Sequence, residues 1–412
     1  MSSITIKQAH ESDIPVIESI LLDTVNWLNE MNQQLWDMNE IIWDSLSKQY
    51  KITDFYIAYL NDVPSGCMVI IDYDPFFWKN VEKGEALFIH KLAVTKSARK
   101  SGVADALMNY FKEQGMKRNV KTIRLDTHSL HPRLRAFYER HGFVCVETKV
   151  IGDEWYTAFY IYTFPETILA QNKSSWNTMA DNWFGVTALP TYGCLCPTED
   201  ELHLFPDLHD KKVLDIGCGS GHSLKWCGDH GADELWGLDI SERQLEIADK
   251  YLRENNYEPK LFCSPMEQNP DLPQNYFDIV YSIYAIGWTV DLQITFNLIA
   301  SYLKPNGVFI FSWDHPFMHC VDATDEQLIF SGNYYETEPF SFLKRGNPVT
   351  IINRRLSDYI NTLFAAGFIV ERVIEETDKA TLERGSEFSS DYYSPTKAKR
   401  FPLSIIIKAR KI

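Results

Sequence analysis

The sequence predicts two domains of different class: an α+β domain built on a mixed sheet, then an α/β domain whose parallel sheet is covered by helices on both faces. Three observations predict this. A chain of 412 residues suits two domains at roughly 100 to 200 residues each. Up to residue 164, strands joined by tight turns are mixed with long amphipathic helices. Beyond residue 212, short apolar strands alternate with helical or loop crossovers, the grammar of a parallel sheet.

The first domain opens with strand "ITIKQA", a long amphipathic helix over "DIPVIESILLDTVNWLNEM", a helix near 38–49 and strand "FYIAYL". "NDVPSG" turns that strand back into "CMVIIDYD", because Asn, Asp, Pro and Gly are the residues tight turns accept. Strand "ALFIHKLAV" leads into helix "GVADALMNYFKEQGMK", followed by strand "TIRLDTH", helix "HPRLRAFYERHG" and strands "FVCVETKVI" and "WYTAFYIYTF". The domain is expected to span 1–164, with the short polar stretch "PETILAQNKSS" at 165–175 as linker and the second domain over 176–412. There the strands are "KVLDIGCG", "ELWGLDI", "KLFCS", "FDIVYSIY" and "GVFIFSWD". Helix "LSDYINTLFAAG" and strands "FIVERVIEE" and "FPLSIIIKARK" follow, the last strand antiparallel. Residues 317–353 are too long for an ordinary connection and hold Tyr334, Tyr335 and Phe340 for packing.

Composition excludes several classes. Hydrophobic residues at 45% and aromatic residues at 14% fill real cores, so disorder is not expected. A formal net charge of −16 opposes a polyanion, and no nucleic-acid partner is expected. Eight scattered cysteines without a CxxC pair read as free thiols in a reducing compartment. With no charged leader before an apolar block and no apolar run near 20 residues, the expected location is cytoplasmic, with no membrane partner.

Two glycine turns carry the chemistry. In "LAVTKSARKSGVADALM" a strand enters a tight loop and then a helix, so the N–H groups from about Lys100 to Ala104 lack intrahelical partners and form an anion site. Gly102 lets the backbone approach the ligand, and Lys96, Arg99 and Lys100 add charge; the plain alternative is a solvated basic loop. "RKSGVA" matches an R/Q-x-x-G-x-G/A loop, and with "FIHKLAV" and "LRAFYERHGF" the segment 3–164 resembles the GNAT family of N-acetyltransferases. The resemblance implies acetyl-CoA as ligand, its pyrophosphate on Arg99, Lys100, Ser101, Gly102, Val103 and Ala104 and its pantetheine beside Leu92 and Val94. It also implies that Tyr138 is the general acid for the departing thiolate. The alternative for Tyr138 is a core aromatic, although Phe137 is the more obvious core residue. An amine acceptor must lose a proton, for which Glu85 and His90 are candidates. His131 stands where the family commonly has Asn.

"VLDIGCGSG" joins a buried strand, Asp215, Gly217, Cys218, Gly219 and Gly221 to a helix, and eighteen residues after Gly221 the next strand ends in Asp239. A carboxylate there can take both ribose hydroxyls of a nucleotide-type cofactor; the alternative is an acid at a helix N-terminus, with Ser241 as cap. The acid before the first glycine departs from the dinucleotide fingerprint and would repel a pyrophosphate. D-x-G-x-G-x-G resembles motif I of class I S-adenosylmethionine-dependent methyltransferases, over roughly 172–412. The resemblance implies a Rossmann-like seven-stranded sheet, S-adenosylmethionine as cofactor and a substrate-covering arm over 317–353. It places Asp215 near the cofactor's ammonium group, Asp239 and Ile240 at the ribose, and Met266 and Glu267 at the adenine. Tyr192, Trp183, Tyr284 and Trp288 are candidate pocket walls, since aromatic faces attract cations. His315 in "WDHPF" is the candidate base. No metal site is expected, because the spacing from Asp314 through His319 to Cys320 fits no common zinc pattern.

These features point to a bifunctional enzyme that acetylates and methylates small molecules, with an amine-bearing metabolite as acceptor. Two alternatives stay open: a methyltransferase whose GNAT-like domain is a non-catalytic binding or oligomerisation module, and a cofactor-sensing regulatory protein.

Overall fold

Strand pairing separates the chain into two units, residues 1–167 and 168–412. The computed structural model describes residues 3–412 apart from 32, 34, 152–154, 325, 338 and 386.

In the first unit the elements are β1 (Ile4–Gln8), α1 (Ile14–Glu30), β2 (Phe55–Leu60), β3 (Val63–Ile71), β4 (Ala86–Val94), α2 (Val103–Lys117), β5 (Thr122–His128), α3 (Pro132–Arg140), β6 (Val144–Ile151) and β7 (Trp155–Thr163). They form a seven-stranded sheet in the order β1-β2-β3-β4-β5-β7-β6, antiparallel except where β4 lies parallel to β5. Alternate residues of one strand enter different cores: Phe55 and Ile57 pack with Ile17, Leu21 and Val25 of α1, whereas Tyr56 and Ala58 pack with Leu107 and Phe111 of α2. The period of two along the strands and of three to four along the helices is what the sequence pattern encodes.

Two local expectations change. The β2–β3 turn is only Asn61 and Asp62, both with positive φ (50° and 64°), so residues from Val63 already belong to β3. Asn and Asp tolerate that conformation, which matches the twist of a two-residue hairpin. The helix expected near 38–49 is a 3₁₀ turn at Met38–Glu40 and a four-residue helix at Trp43–Leu46. Asp37 accepts the Asn39 N–H at 2.8 Å and so caps the start of the 3₁₀ turn.

Residues 165–175, expected as linker, instead begin helix α4 (Pro165–Met179). Proline suits the first helical position. Asn172 and Ser175, polar in the sequence, are buried because partners distant in the chain satisfy them. The second unit continues with β8 (Lys212–Ile216), α5 (His222–Asp229), β9 (Glu234–Asp239), α6 (Glu242–Glu254), β10 (Lys260–Cys263), β11 (Phe277–Ile283), α7 (Leu292–Tyr302), β12 (Leu303–Asp314), hairpins β13–β14 (Val321–Thr324, Gln327–Phe330) and β15–β16 (Pro339–Lys344, Asn347–Ile352), α8 (Leu356–Ala365), β17 (Phe368–Ile374) and β18 (Ser404–Lys411). The sheet order is β10-β9-β8-β11-β12-β18-β17, with β18 antiparallel to both neighbours and the other pairs parallel. Leu214, Leu238, Val280 and Phe309 face α7 and α8, while Val213, Ile279, Tyr281 and Ile310 face α5 and α6. This is the doubly wound, Rossmann-like class, in which ligands bind beyond the carboxyl ends of the strands. Among the described residues no helix is long and apolar enough to cross a membrane.

Candidate functional site

In the first unit β4 and β5 pair only over Ala86–Phe88 and Thr122–Arg124, although β4 runs to Val94 and β5 to His128. The strands then separate. The register of β3 on β4 shifts between Cys67 and Val69, and Lys91 of β4 has φ +50°, so a bulge turns β4 away from β5. Leu92 and Val94, the expected pantetheine neighbours, pack half-buried beside the opening, against the core under α2.

Past β4 the chain reaches Gly102, with φ +87° at the N-cap of α2. An added Cβ would meet only Ile4 Cδ1 at 3.8 Å, so the backbone angle rather than space calls for glycine there. The first helical N–H to find an intrahelical acceptor is Ala106, onto Gly102 O at 2.9 Å, which leaves those of Val103, Ala104 and Asp105 for an anion. Three expectations for this loop need correction. Ser101 is not a free donor: its N–H bonds Ala98 O at 3.3 Å and its hydroxyl bonds the same oxygen. Arg99 stacks its guanidinium on Trp27, 3.0 Å from the ring centroid, and Lys96 pairs with Glu30 at 2.7 Å. Lys100, with φ +61°, is the remaining loop cation.

Tyr138, not Phe137, is the buried aromatic of α3; Phe137 is half-buried. Burial, then the charges of Asp126 and Tyr160, push its hydroxyl well above the ordinary tyrosine value, so it is a proton donor at neutral pH. Glu85 does not reach the opening. It is exposed in the turn before β4, at the paired end of the strands, where it accepts the Glu82 N–H at 3.2 Å. His90 does lie at the opening, with Asp74 and Asp126. Nothing in the sequence joins these three, whose spacing in the chain follows no metal-site pattern.

In the second unit β8 carries Asp215, 2% exposed, into the glycine turn. Gly217, Gly219 and Gly221 all have positive φ (78°, 50° and 79°), and a Cβ on Gly217 would collide with Ala285. The N–H groups of Gly217 and Cys218 bond Leu238 O at 2.7 and 3.0 Å, tying the turn to β9. Asp239 braces it from the other side: Oδ2 accepts the Gly219 N–H and Oδ1 the Ser241 N–H, both at 2.9 Å. Ser241 is the cap of α6, accepting from Gln244 at 3.2 Å, so Asp239 does not serve as one. Both acids are shifted up, Asp215 by burial and then the Asp239 charge, Asp239 by burial against the amides that hold it. Among the described residues Asp215 Oδ1 is buried without a hydrogen-bond partner.

These residues line one end of a cavity of about 640 Å³, together with Ile240, Met266, Glu267 and Tyr284. Glu267 Oε1 accepts from Thr289 Oγ1 and the Val290 N–H, both at 2.6 Å, while its Oε2 is buried and unpartnered among the described residues. A polar, anionic rim with orphaned oxygens fits a ligand carrying hydroxyls and positive charge. The far end is aromatic, with Trp176, Trp183, Trp288, Trp313, Phe340 and Tyr393. There Lys344 of β15 sits over Trp183 at 4.7 Å and Trp288 at 5.6 Å. Asp314 accepts from Tyr284 Oη at 2.5 Å and Tyr393 Oη at 2.9 Å, and burial raises its carboxyl.

Two predicted site residues lie elsewhere. Tyr192 is fully buried, its hydroxyl donating to Glu199 at 2.6 Å, and Glu199 also takes the N–H groups of Leu204 and Phe205; this is a structural latch. His315 is 4% exposed and has both nitrogens engaged, Nε2 with Glu375 at 2.7 Å and Nδ1 accepting the Phe317 N–H at 3.2 Å. Its neighbours on the cavity wall are Asp314 and His319, whose Nε2 is buried and unpartnered among the described residues. Burial pulls His319 below its ordinary value, so it is a neutral acceptor at pH 7. Position next to His315 was a signal for Asp314; nothing in the sequence pointed to Tyr393 or Lys344.

The arm over 317–353 is the two hairpins, and β15–β16 reaches the cavity through Phe340, Phe342, Lys344 and Ile351. Tyr335 is 75% exposed, and Tyr334 Oη accepts the Leu356 N–H at 3.1 Å.

Comparison with known proteins agrees with both units. A model of the acetyltransferase (GNAT) family matches residues 22–143 and a methyltransferase domain model matches residues 195–328. An uncharacterized protein of Haemophilus influenzae is 30% identical over 227 residues, covering 51% of this chain and 85% of that protein. A ubiquinone biosynthesis O-methyltransferase of Neisseria meningitidis serogroup C is 28% identical over 129 residues, and the chain spans 54% of its length. Among solved structures, an S-adenosylmethionine dependent methyltransferase from Mesorhizobium loti is 23% identical with a TM-score of 0.43, covering 51% of this chain and 95% of that one. The chain belongs to one family with the Haemophilus influenzae protein, and it joins an acetyltransferase (GNAT) family domain to a class I methyltransferase domain.

Proposed function

We propose that the chain is a bifunctional small-molecule-modifying enzyme, transferring acetyl from acetyl-CoA to an amine in the first unit and methyl from S-adenosylmethionine in the second. The observation that carries the reading is the cavity with Asp215, Asp239 and Glu267 at one end and an aromatic box at the other. Buried carboxylates without a cation partner favour a cationic ligand, and S-adenosylmethionine when bound supplies a methyl on a positively charged sulfur. Asp215 would face its ammonium, Asp239 its ribose hydroxyls, and Met266 and Glu267 its adenine. The aromatic residues and Phe340 of the arm exclude water and hold the acceptor, and Asp314 or His319 can take a proton from it.

In the first unit the N–H groups of Val103, Ala104 and Asp105, with Lys100, would hold the pyrophosphate of acetyl-CoA, which supplies an acetyl thioester. Leu92 and Val94 would neighbour its arm, Tyr138 would protonate the thiolate, and His90 would take a proton from the amine. Calorimetric titration of the full chain with acetyl-CoA and with S-adenosylhomocysteine tests this. One site for each is expected; S-adenosylhomocysteine alone would leave a methyltransferase with a non-catalytic first domain.

A further inference from the structure

We propose that Lys344 and Trp183 form a seat for a carboxylate on the methyl acceptor of the second unit. The proposal rests on the methyl-transfer reading and names the charge that the acceptor carries.

Alternation along β15 puts Phe340, Phe342 and Lys344 on one face, and all three line the cavity. A lysine therefore stands where a third apolar side chain would continue that face. Lys344 pairs with Asn347 around the turn Arg345–Gly346, whose residues both have positive φ (50° and 80°), so it sits at the tip of the hairpin. Trp183 ends the 3₁₀ turn Ala180–Trp183 that follows α4. Arg345 joins the two segments: its guanidinium donates to Asn182 O at 2.8 Å and lies over the Trp183 ring at 4.8 Å.

Both members of the seat are donors that lack an acceptor. Trp183 Nε1 is buried with no hydrogen-bond partner among the described residues. An indole nitrogen can only donate, so what it lacks is an acceptor. The Lys344 ammonium lies over the rings of Trp183, Trp288 and Trp176 at 4.7, 5.6 and 5.9 Å and makes no ion pair among the described residues. Ring faces attract a cation but do not replace the water it gives up, and burial pulls the Lys344 ammonium below its ordinary value. Among the described residues Asp314 is the acid of the cavity whose charge acts on it, and that carboxylate is already committed. Both its oxygens accept from Tyr393 Oη, at 2.9 and 3.0 Å, and Oδ1 accepts from Tyr284 Oη as well. In a chain of net charge −16, two adjacent cations against a buried, unanswered N–H make a local place for an anion.

Charge and donor geometry select the anion. A carboxylate brings one negative charge and two oxygens, one for the indole N–H and one for the ammonium. A phosphate dianion brings a second charge, and the other cation of the tip, Arg345, is exposed and bonded to Asn182 O. The carboxylate of the cofactor itself is the rival occupant. Against it, Lys344 belongs to the arm, whereas Asp215 and Asp239 stand on β8 and β9 and Glu267 follows β10, and none of these three is among the charges that act on Lys344. An acceptor held by its carboxylate at the hairpin tip lays its apolar body against Trp176, Trp288 and Phe340 and keeps another atom free to meet the methyl group.

The test uses the full chain labelled with ¹⁵Nε1-tryptophan and saturated with S-adenosylhomocysteine, with Trp183→Phe to assign the Trp183 indole signal. Titration with sodium benzoate is expected to move that signal downfield saturably, whereas benzamide, of similar shape but uncharged, should act about tenfold more weakly. Lys344→Met is expected to weaken the benzoate effect about tenfold and Lys344→Arg to keep it within about threefold, both binding S-adenosylhomocysteine as the parent does. No shift with benzoate, an equal response to benzamide, or a benzoate effect undiminished in Lys344→Met overturns the proposal. So does a loss of S-adenosylhomocysteine affinity in Lys344→Met that Lys344→Arg restores, which would give the lysine to the cofactor's own carboxylate. Calorimetry of the parent with S-adenosylhomocysteine keeps the two ideas apart: its failure would refute the methyl-transfer reading whatever benzoate does.

Discussion

At the residue scale the second unit depends most on Asp239. Its two oxygens hold Gly219 and Ser241, and the residue lines the cavity. Asp239→Asn retains one carbonyl acceptor but loses the charge and one of two acceptor atoms. Charge-assisted bonds contribute about 1.5–3 kcal/mol each, so S-adenosylhomocysteine affinity should fall about a hundredfold and acetyl-CoA affinity should not change, as read by calorimetry. Asp126 gives a pH signature. Its folded pKa of about 6 lies above the usual aspartate value, so between about pH 4 and 6 the unfolded chain binds fewer protons and stability falls as pH rises. The loss is up to about 3 kcal/mol. Denaturant unfolding across that range should show the decline in the parent and a flatter profile in Asp126→Asn.

At the element scale the arm is held by α4. Asn172 exchanges two hydrogen bonds with Thr350 of β16, both at 2.8 Å, and Ser175 Oγ donates to Pro348 O at 2.6 Å. The hairpin in turn brings Phe340 and Lys344 to the cavity. Asn172→Ala leaves a buried amide pair on Thr350 unsatisfied, at about 1–3 kcal/mol. Its second consequence is local: the acceptor KM should rise several-fold with S-adenosylhomocysteine affinity unchanged, because Asp215, Asp239 and Glu267 come from elements other than β16. Equal weakening of both would show that the hairpin organises the whole cavity. The same helix shows why residues 165–175 misread as a linker: their polar character is answered by β16, about 175 residues away in sequence, and no local pattern carries that information.

At the scale of the whole molecule each unit has its own cores on both faces of its own sheet. Two thermal transitions are expected, S-adenosylhomocysteine at a hundred times its Kd raising one and acetyl-CoA the other, each by about 5 to 10 °C in calorimetry. If each ligand moved both transitions alike, the two-site reading would fail. By itself the sequence determined the two fold classes, the strand order of the motifs and both glycine turns, because hydrophobic period and the positive φ of Gly102, Gly217, Gly219 and Gly221 are local properties written at fixed spacings. It did not determine which polar side chains face a ligand. Tyr192 and His315 stood beside the right strands but turn to Glu199 and Glu375, since a buried hydroxyl or imidazole goes to whichever partner the packing supplies. Only the tertiary structure decided that Asp74, His90 and Asp126 converge: they lie 16 and 36 residues apart along the chain, and what joins them is the parting of β4 from β5 after Phe88 and Arg124.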